Sequence, residues 1–192
     1  MTRKIVLASK SPRRKQMLKQ IGLRFEVRES EYEEDMDAKN NPYELVEFLS
    51  LNKARDVARH YDDAVIIGAD TVIALGDKII GKPKSRKEAK EMLRSFSGRE
   101  HRVVSGFAII DAKNNLETVG RGEAVLKFRD LTDEEIDKYT EREDTVCFAG
   151  GYNMFARAPI FLESARGDFY SIIGLPLNKI YAELKKMGVE FF

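Results

Sequence analysis

One stretch governs what this chain can become. Ala64-Val65-Ile66-Ile67-Gly68-Ala69-Asp70-Thr71-Val72-Ile73-Ala74-Leu75 is its most apolar run, with a single carboxylate in the middle. Such a run reads as buried strand, long enough for one central strand or two, and Gly76-Asp77 turns it back into a return strand at Ile79-Ile80. An unpaired carboxylate in these surroundings would cost several kcal/mol to desolvate. Asp70 therefore either lies at a strand end facing a cleft, holding a metal or serving as a base, or it pairs with a buried Lys or Arg. The cleft is preferred, because carboxylates in costly surroundings gather at functional sites.

The flanking sequence supplies the rest of an α/β layout. Ile5-Val6-Leu7-Ala8 is a short buried strand running into a helix that Ser11 caps, Pro12 opens and Gly22 ends. Phe25-Glu26-Val27 alternates like a strand. The loop from Glu29 to Asp37 carries six carboxylates and no cation, then Asn41-Pro42 starts a helix running to about Tyr61. Ser85 with Glu88 predicts a capping box on a helix reaching Phe96, and Thr132 with Glu135 predicts another. Between them, Arg102 to Phe128 reads as two or three strands around an Asn114-Asn115 turn, and a last helix starts at Pro176. The expectation is one α/β domain over residues 1–192, a mixed sheet flanked by helices.

Charge selects no general partner: 33 Lys+Arg stand against 32 Asp+Glu, a net charge of +1, so nothing draws the chain as a whole to nucleic acid or to an acidic membrane. Any anion site must be local. A single cysteine, Cys147, excludes an internal disulfide, and His60 and His101 are too far apart in sequence for zinc-ligand spacing. Cys147 is expected to be a core thiol and the histidines surface or capping groups. The first apolar run is too short for a signal peptide and no run approaches the roughly 18 apolar residues of a membrane span, so a cytoplasmic protein without membrane contact is expected.

Two further segments break local rules. Ser9-Lys10-Ser11-Pro12-Arg13-Arg14 places guanidiniums in a first helical turn, where the macrodipole disfavours cations by about 0.3–1 kcal/mol. An anion such as phosphate, held by free N–H groups and the arginine forks, would reverse that penalty; solvated arginines after an ordinary cap are the bland alternative. Lys53 falls on one helical face with Val46, Leu49 and Val57, so it either snorkels to water or meets Asp70 or a phosphate. Glu34 in the acidic loop, brought beside Asp70, would make an oxygen pair suited to Mg²⁺, and Lys82, Lys84, Arg86 and Lys87 form an opposing basic cluster. Gly76 to Lys82 mimics a phosphate loop except that Pro83 ends it, without hydroxyl or N–H, which excludes an ordinary kinase or GTPase.

These residues coincide with a known pattern, and the sequence resembles the Maf family of nucleoside triphosphate pyrophosphatases. The resemblance rests on Leu7 to Arg14, Glu34, the segment around Lys53, Gly68 to Thr71, Gly81 to Pro83, Met92 to Val103 and Ile173 to Leu177. It implies a bent mixed sheet in two lobes around a cleft, the inosine-triphosphate-pyrophosphatase-like (Maf/Ham1) fold. It further implies that Asp70 is the proton acceptor for water and, with Glu34, binds Mg²⁺ or Mn²⁺, that Lys53 and Lys82 share the catalytic cleft, and that Ser9 and Arg13, with Arg14 beside them, contact the nucleotide. Thr71 resembles members acting on dTTP and UTP, whereas those resembling 7-methyl-GTP pyrophosphatases carry Gln there. One motif departs: Gly150-Gly151-Tyr152-Asn153-Met154-Phe155-Ala156 has Phe155 where the dTTP/UTP group carries Gln, a ring that stacks but cannot hydrogen-bond. The implied reaction is cleavage of the α–β phosphoanhydride. A nucleotide- or nucleic-acid-binding regulator of cell division, or a pyrophosphatase for 7-methyl-GTP or noncanonical purines, stays open as an alternative. No stable nucleic-acid partner is expected, and the helices are able to support a homodimer.

Overall fold

The computed structural model describes residues 3–191. In chain order it contains β1 (Ile5–Ala8), α1 (Pro12–Gln20), β2 (Glu26–Val27), α2 (Pro42–Ala58), β3 (Val65–Leu75), β4 (Lys78–Ile80), α3 (Arg86–Phe96), β5 (Glu100–Asp111), β6 (Leu116–Phe128), α4 (Asp133–Arg142), β7 (Leu162–Gly167), α5 (Phe169–Ile173) and α6 (Leu177–Lys186), with short 3-10 turns between α4 and β7. The strands form one mixed sheet in the order β2-β1-β3-β5-β6-β7, with β4 also on β3. β1 runs parallel to β2 and β3, and the remaining pairs are antiparallel.

The apolar run is one strand, not two, and its register creates the cleft. On one side β5 accompanies β3 from Val65 to Ala74. On the other side β1 reaches only Gly68, and β4 begins only at Ile73. The edge of β3 between those points, carrying Asp70 and Thr71, has no strand beside it. Backbone groups there need partners from elsewhere, because unpaired N–H and C=O groups are costly once buried.

Alternation along β3 divides the core. Ile66 and Val72 face α2, where Val6, Ala54 and Ile110 form a cluster at one end and Leu45, Leu49 and Val104 another. Ile67 faces the opposite side with Leu7, Met17, Ile180 and Leu184, and Ile73 joins Phe96, Phe128, Tyr139 and Phe161. One lobe is thus built on α1 and α6, the other on α3 and α4, and the bare edge of β3 lies where they meet. Helix α2 comes down on the sheet at the same level because two glycines admit it: a Cβ at Gly68 would collide with the Ser50 carbonyl oxygen, and one at Gly106 with that of Val46. Gly106 is the register partner of Asp70.

Some expectations shift. Arg102 to Phe128 lies within two long strands, with Asn115 at φ 51° in the turn. The Thr132–Glu135 capping box is complete, but Ser85 heads only half of one, since the Glu88 carboxylate accepts from the Lys84 N–H rather than that of Ser85. Cys147 is exposed instead of lying in the core. His101 is neither surface nor cap: it is buried, its Nε2 is 2.9 Å from the Tyr152 hydroxyl, and rings of Phe96, Phe128 and Tyr152 surround it.

Candidate active site

The β1–α1 junction fills the gap beside β3. Ser11 caps α1 by accepting from the Arg14 N–H, with Pro12 in the first turn, which aims the helix start at the bare edge. From there the Arg14 guanidinium donates to the Ala69 carbonyl at 2.9 Å, the Gly174 carbonyl at 2.8 Å, the Thr71 hydroxyl at 3.1 Å and the Ser9 hydroxyl at 3.2 Å. It satisfies a carbonyl that β1 leaves unpaired and ties β3 to the segment after α5. Thr71 Oγ1 also lies 2.8 Å from Ser105 Oγ, and Ser105 donates to the Ser171 carbonyl at 2.8 Å. Arg14 and Thr71 are therefore committed to protein partners.

Arg13 is placed differently. Its guanidinium stacks on the Phe148 ring at 4.4 Å, its Nε is buried with no hydrogen-bond partner, and no carboxylate pairs with it among the described residues. Burial, then the neighbouring Arg14, lowers its pKa to about 10, so it stays charged at neutral pH. A half-buried cation with a partnerless buried nitrogen and no anion points to a ligand that supplies one.

On the α2 side of the same gap, the stripe containing Leu49 and Lys53 delivers an ammonium to the sheet. Lys53 Nζ lies 2.5 Å from Asp70 Oδ1 and 2.7 Å from Glu34 Oε1. Asp70 lies in mid-strand and not at a strand end as expected, yet it both borders the cleft and pairs with a buried lysine, because β1 and β4 leave its edge of β3 bare. Glu34 is carried there by an irregular loop whose base is pinned by Asp56, which accepts from Ser30 Oγ at 2.9 Å and the Glu31 N–H at 2.8 Å. Burial alone would raise the Glu34 pKa, but Lys53, Lys82 and Arg14 together draw it below the ordinary carboxylate value. Lys82 Nζ stands 3.9 Å from Glu34 Oε1, and the rest of the basic cluster, Lys84, Arg86 and Lys87, is exposed.

These groups line one pocket of about 960 Å³, within the range of small-molecule sites. Ser9, Arg13, Arg14, Glu34, Lys53, Asp70, Thr71 and Lys82, separated by up to 73 positions in sequence, all border it. Its other wall is largely apolar, with Phe148, Tyr152, Met154, Ile73 and Val103, and Asp144, Cys147 and Asn153 as its polar groups. That wall was illegible in the sequence beyond the Gly150-Gly151-Tyr152 signal. It is held by the Gly150 N–H donating to the Gly81 carbonyl at 2.9 Å, next to Lys82, by His101 on Tyr152, and by the Asn153 N–H donating to the Tyr139 hydroxyl at 2.8 Å. Phe155 is 40% exposed and is absent from the residues bordering the pocket; its N–H closes a turn on Asn153 Oδ1 at 2.9 Å.

Known proteins resemble this chain over nearly its whole length. Residues 4–187 match the family described as Maf-like protein. A protein of Desulforamulus reducens named dTTP/UTP pyrophosphatase is 40% identical over 188 residues, 98% of this chain and 98% of that one. A Bacillus anthracis protein of the same name is also 40% identical over 188 residues, 98% of this chain and 97% of that one. The solved structure of the Staphylococcus aureus Ham1 protein is more distant, with a TM-score of 0.44 and 18% identity over 65% of this chain and 71% of that chain. With its signature segments gathered around one pocket and its match extending through nearly every element of the sheet, this chain belongs to the Maf family.

Proposed function

We propose that this pocket hydrolyses the α–β phosphoanhydride of a nucleoside triphosphate, dTTP or UTP by analogy with the named relatives, giving the nucleoside monophosphate and pyrophosphate. One observation carries the reading: two carboxylates converge on a single point at the bare edge of β3, and an unpaired arginine faces the same pocket. Binding alone would account for the arginine but not for a carboxylate set into the most apolar strand of the chain.

In this reading Asp70 accepts a proton from water as the water oxygen bonds to the α-phosphorus and the bond from that phosphorus to the bridging oxygen breaks; the electron pair leaves with pyrophosphate. One oxygen of Asp70, Oδ1, is turned to a cation, Lys53 Nζ where no ligand is bound, which leaves the second oxygen of that carboxylate for the proton. Arg13 and Lys82 supply positive charge where negative charge grows on the phosphate oxygens, and Phe148 holds the Arg13 plane in place. Arg14 and Thr71 act from behind, fixing the backbone on either side of Asp70, and Ser9 joins them through Arg14. The apolar wall offers stacking area for a base.

The donor set fits a divalent cation such as Mg²⁺ or Mn²⁺. Glu34 and Asp70 already aim at one cationic atom, and such a pair matches the one or two carboxylates that Mg²⁺ takes when phosphates and water complete its shell. When bound, such an ion neutralises charge on phosphate oxygens and makes the phosphorus more electrophilic. No helix among the described residues is long and apolar enough to cross a membrane, and we place the reaction in the cytoplasm with its substrates.

The test is incubation with Mg²⁺ and, separately, dTTP, UTP, CTP, 7-methyl-GTP and ITP, followed by measurement of pyrophosphate and monophosphate. Turnover is expected to be fastest with dTTP and UTP. Release of orthophosphate and diphosphate instead, or no product from any nucleotide, would overturn the reading.

A further inference from the structure

Glu34 and Asp70 already share a cation, and it belongs to the chain. The Lys53 ammonium sits 2.7 Å from one carboxylate and 2.5 Å from the other, on a side chain only 11% exposed. Helix α2 cannot carry this ammonium away by shifting as a body, because Gly68 and Gly106 seat its backbone directly on the sheet. What is free to move is the four-carbon stem, and the pocket beyond it holds Arg13, Arg14 and Lys82, with no further carboxylate within salt-bridge distance of Lys53 among the described residues.

A doubly charged ion approaching the same two oxygens meets this ammonium at close range in a partly desolvated site, where like charges repel strongly. The rest of the pocket lining is balanced, four cations against four carboxylates, so the repulsion comes from the Lys53 ammonium itself. A triphosphate changes the balance on both sides. Its oxygens attract the metal and give the lysine an alternative partner of the right sign, on a flexible stem suited to following it.

We infer, on the functional reading above, that Lys53 competes with the divalent cation for Glu34 and Asp70, so that the site selects a metal–triphosphate complex and takes up neither component well alone. By linkage, metal and triphosphate then tighten each other by the same factor. The monophosphate product carries too little charge to keep the lysine drawn aside, so Lys53 returns to its carboxylates and the metal leaves with the products. Lys53 thus decides which form of the nucleotide is bound.

Mn²⁺ is the probe, because its free aquo ion gives an electron paramagnetic resonance signal that is lost on binding. It is titrated into the protein alone and into the protein with an α,β-methylene dUTP analogue, whose α–β bridge resists hydrolysis, after subtraction of binding to the analogue itself. The analogue is expected to tighten Mn²⁺ binding by about a hundredfold, and calorimetry is expected to find the analogue tightened by Mn²⁺ by the same factor. Lys53→Met is expected to bind Mn²⁺ without analogue about tenfold more tightly than the unmodified protein and to lose most of the coupling. Equal Mn²⁺ affinity with and without the analogue would overturn the inference, and so would undiminished coupling in folded Lys53→Met; if that variant does not fold, the measurements on the unmodified chain decide. Uncoupled metal binding in a protein that still releases pyrophosphate from dTTP would remove this inference alone, whereas failure of the analogue to bind at all would remove the functional reading with it.

Discussion

Two aspartates are buried in neighbouring strands of this sheet, and their surroundings differ in kind. Asp111, at the end of β5, is closed on every side: Arg3 donates two parallel bonds to its two oxygens at 2.5 and 2.6 Å, and Asn114 adds its N–H at 3.1 Å and its side-chain amide at 2.8 Å. Asp70, in the middle of β3, accepts on one oxygen from a lysine that it shares with Glu34. The Arg3 fork, followed by Asn114, holds the Asp111 carboxyl far below the ordinary carboxylate range even against burial. A carboxylate that serves the fold is matched group for group and has nothing left to offer. One that serves a site is held by fewer bonds than it can make, in a position the sheet leaves uncovered.

The largest effect separates the two. Asp70→Asn keeps an oxygen that accepts from Lys53 but removes the proton acceptor, so pyrophosphate release is expected to fall at least about a thousandfold while the melting temperature stays near that of the unmodified protein. Asp111→Ala strands the Arg3 fork and two Asn114 donors; it is expected to cost about 3 kcal/mol in urea unfolding and to leave kcat unchanged in the folded fraction. Near-normal turnover in Asp70→Asn, or a turnover loss in Asp111→Ala, would erase the distinction.

The same contrast explains what could be read from the chain beforehand. Asp70 was visible because a charge inside Ala64 to Leu75 violates the local pattern, and Lys53 because it interrupts an apolar helical stripe. Arg13 and Arg14 stood out together, but adjacency hides their difference: a helix turns about 100° per residue, so one enters the pocket while the other reaches under it. Asp111 gave no signal, since an aspartate before a Lys-Asn-Asn turn looks ordinary and its partner lies 108 positions away. Strand β7 was missed for a related reason. Leu162–Gly167 is an edge strand, exposed along nearly its whole length, so it carries no apolar alternation. The framework followed from periodicity and caps, whereas the apolar pocket wall depends on 3-10 turns and long-range hydrogen bonds that no short window contains.

The two arginines repeat the comparison at smaller magnitude. Arg13→Met removes a charge whose Nε has no protein partner and keeps a stem able to lie on Phe148. It is expected to lower kcat/KM by about a hundredfold with little change in stability. Arg14→Met leaves the Ala69 and Gly174 carbonyls without their donor and is expected to cost about 2 kcal/mol of stability, read by urea denaturation. If the stability loss fell on Arg13 and not on Arg14, the assignment of open and closed groups would be reversed.

His101 is a buried group of a third kind, which carries no charge when folded: Tyr152 meets its Nε2, and its Nδ1 has no hydrogen-bond partner. Burial lowers its pKa from 6.5 to about 4. Between those values the unfolded chain binds the proton and the folded one does not, so this contribution to stability is complete above pH 6.5 and is lost as the pH falls toward 4. From pH 6 to pH 4.5 the difference amounts to about 2 kcal/mol. His101→Phe removes that titration, and its unfolding free energy is expected to decline less steeply with acid than that of the unmodified protein. Parallel stability curves for the two over this interval would show that the imidazole is not held neutral.

The smallest effect concerns Phe155, in the motif that departs from the pattern expected of members acting on dTTP and UTP. Were Phe155 an open group of the site, like Arg13, restoring Gln would bring an amide to the base and change the choice among nucleotides. Its ring is instead 40% exposed outside the pocket border, and its N–H is fixed by Asn153. Met154, one residue earlier, borders the pocket, as does Asn153. Phe155→Gln is therefore expected to change the ratio of kcat/KM for dTTP over CTP by less than about threefold, whereas Met154→Gln, which sets an amide into the apolar wall, is expected to change it by about tenfold. A large response at Phe155 with none at Met154 would mean that the wall closes over the base by a different face of this loop than the one it now presents.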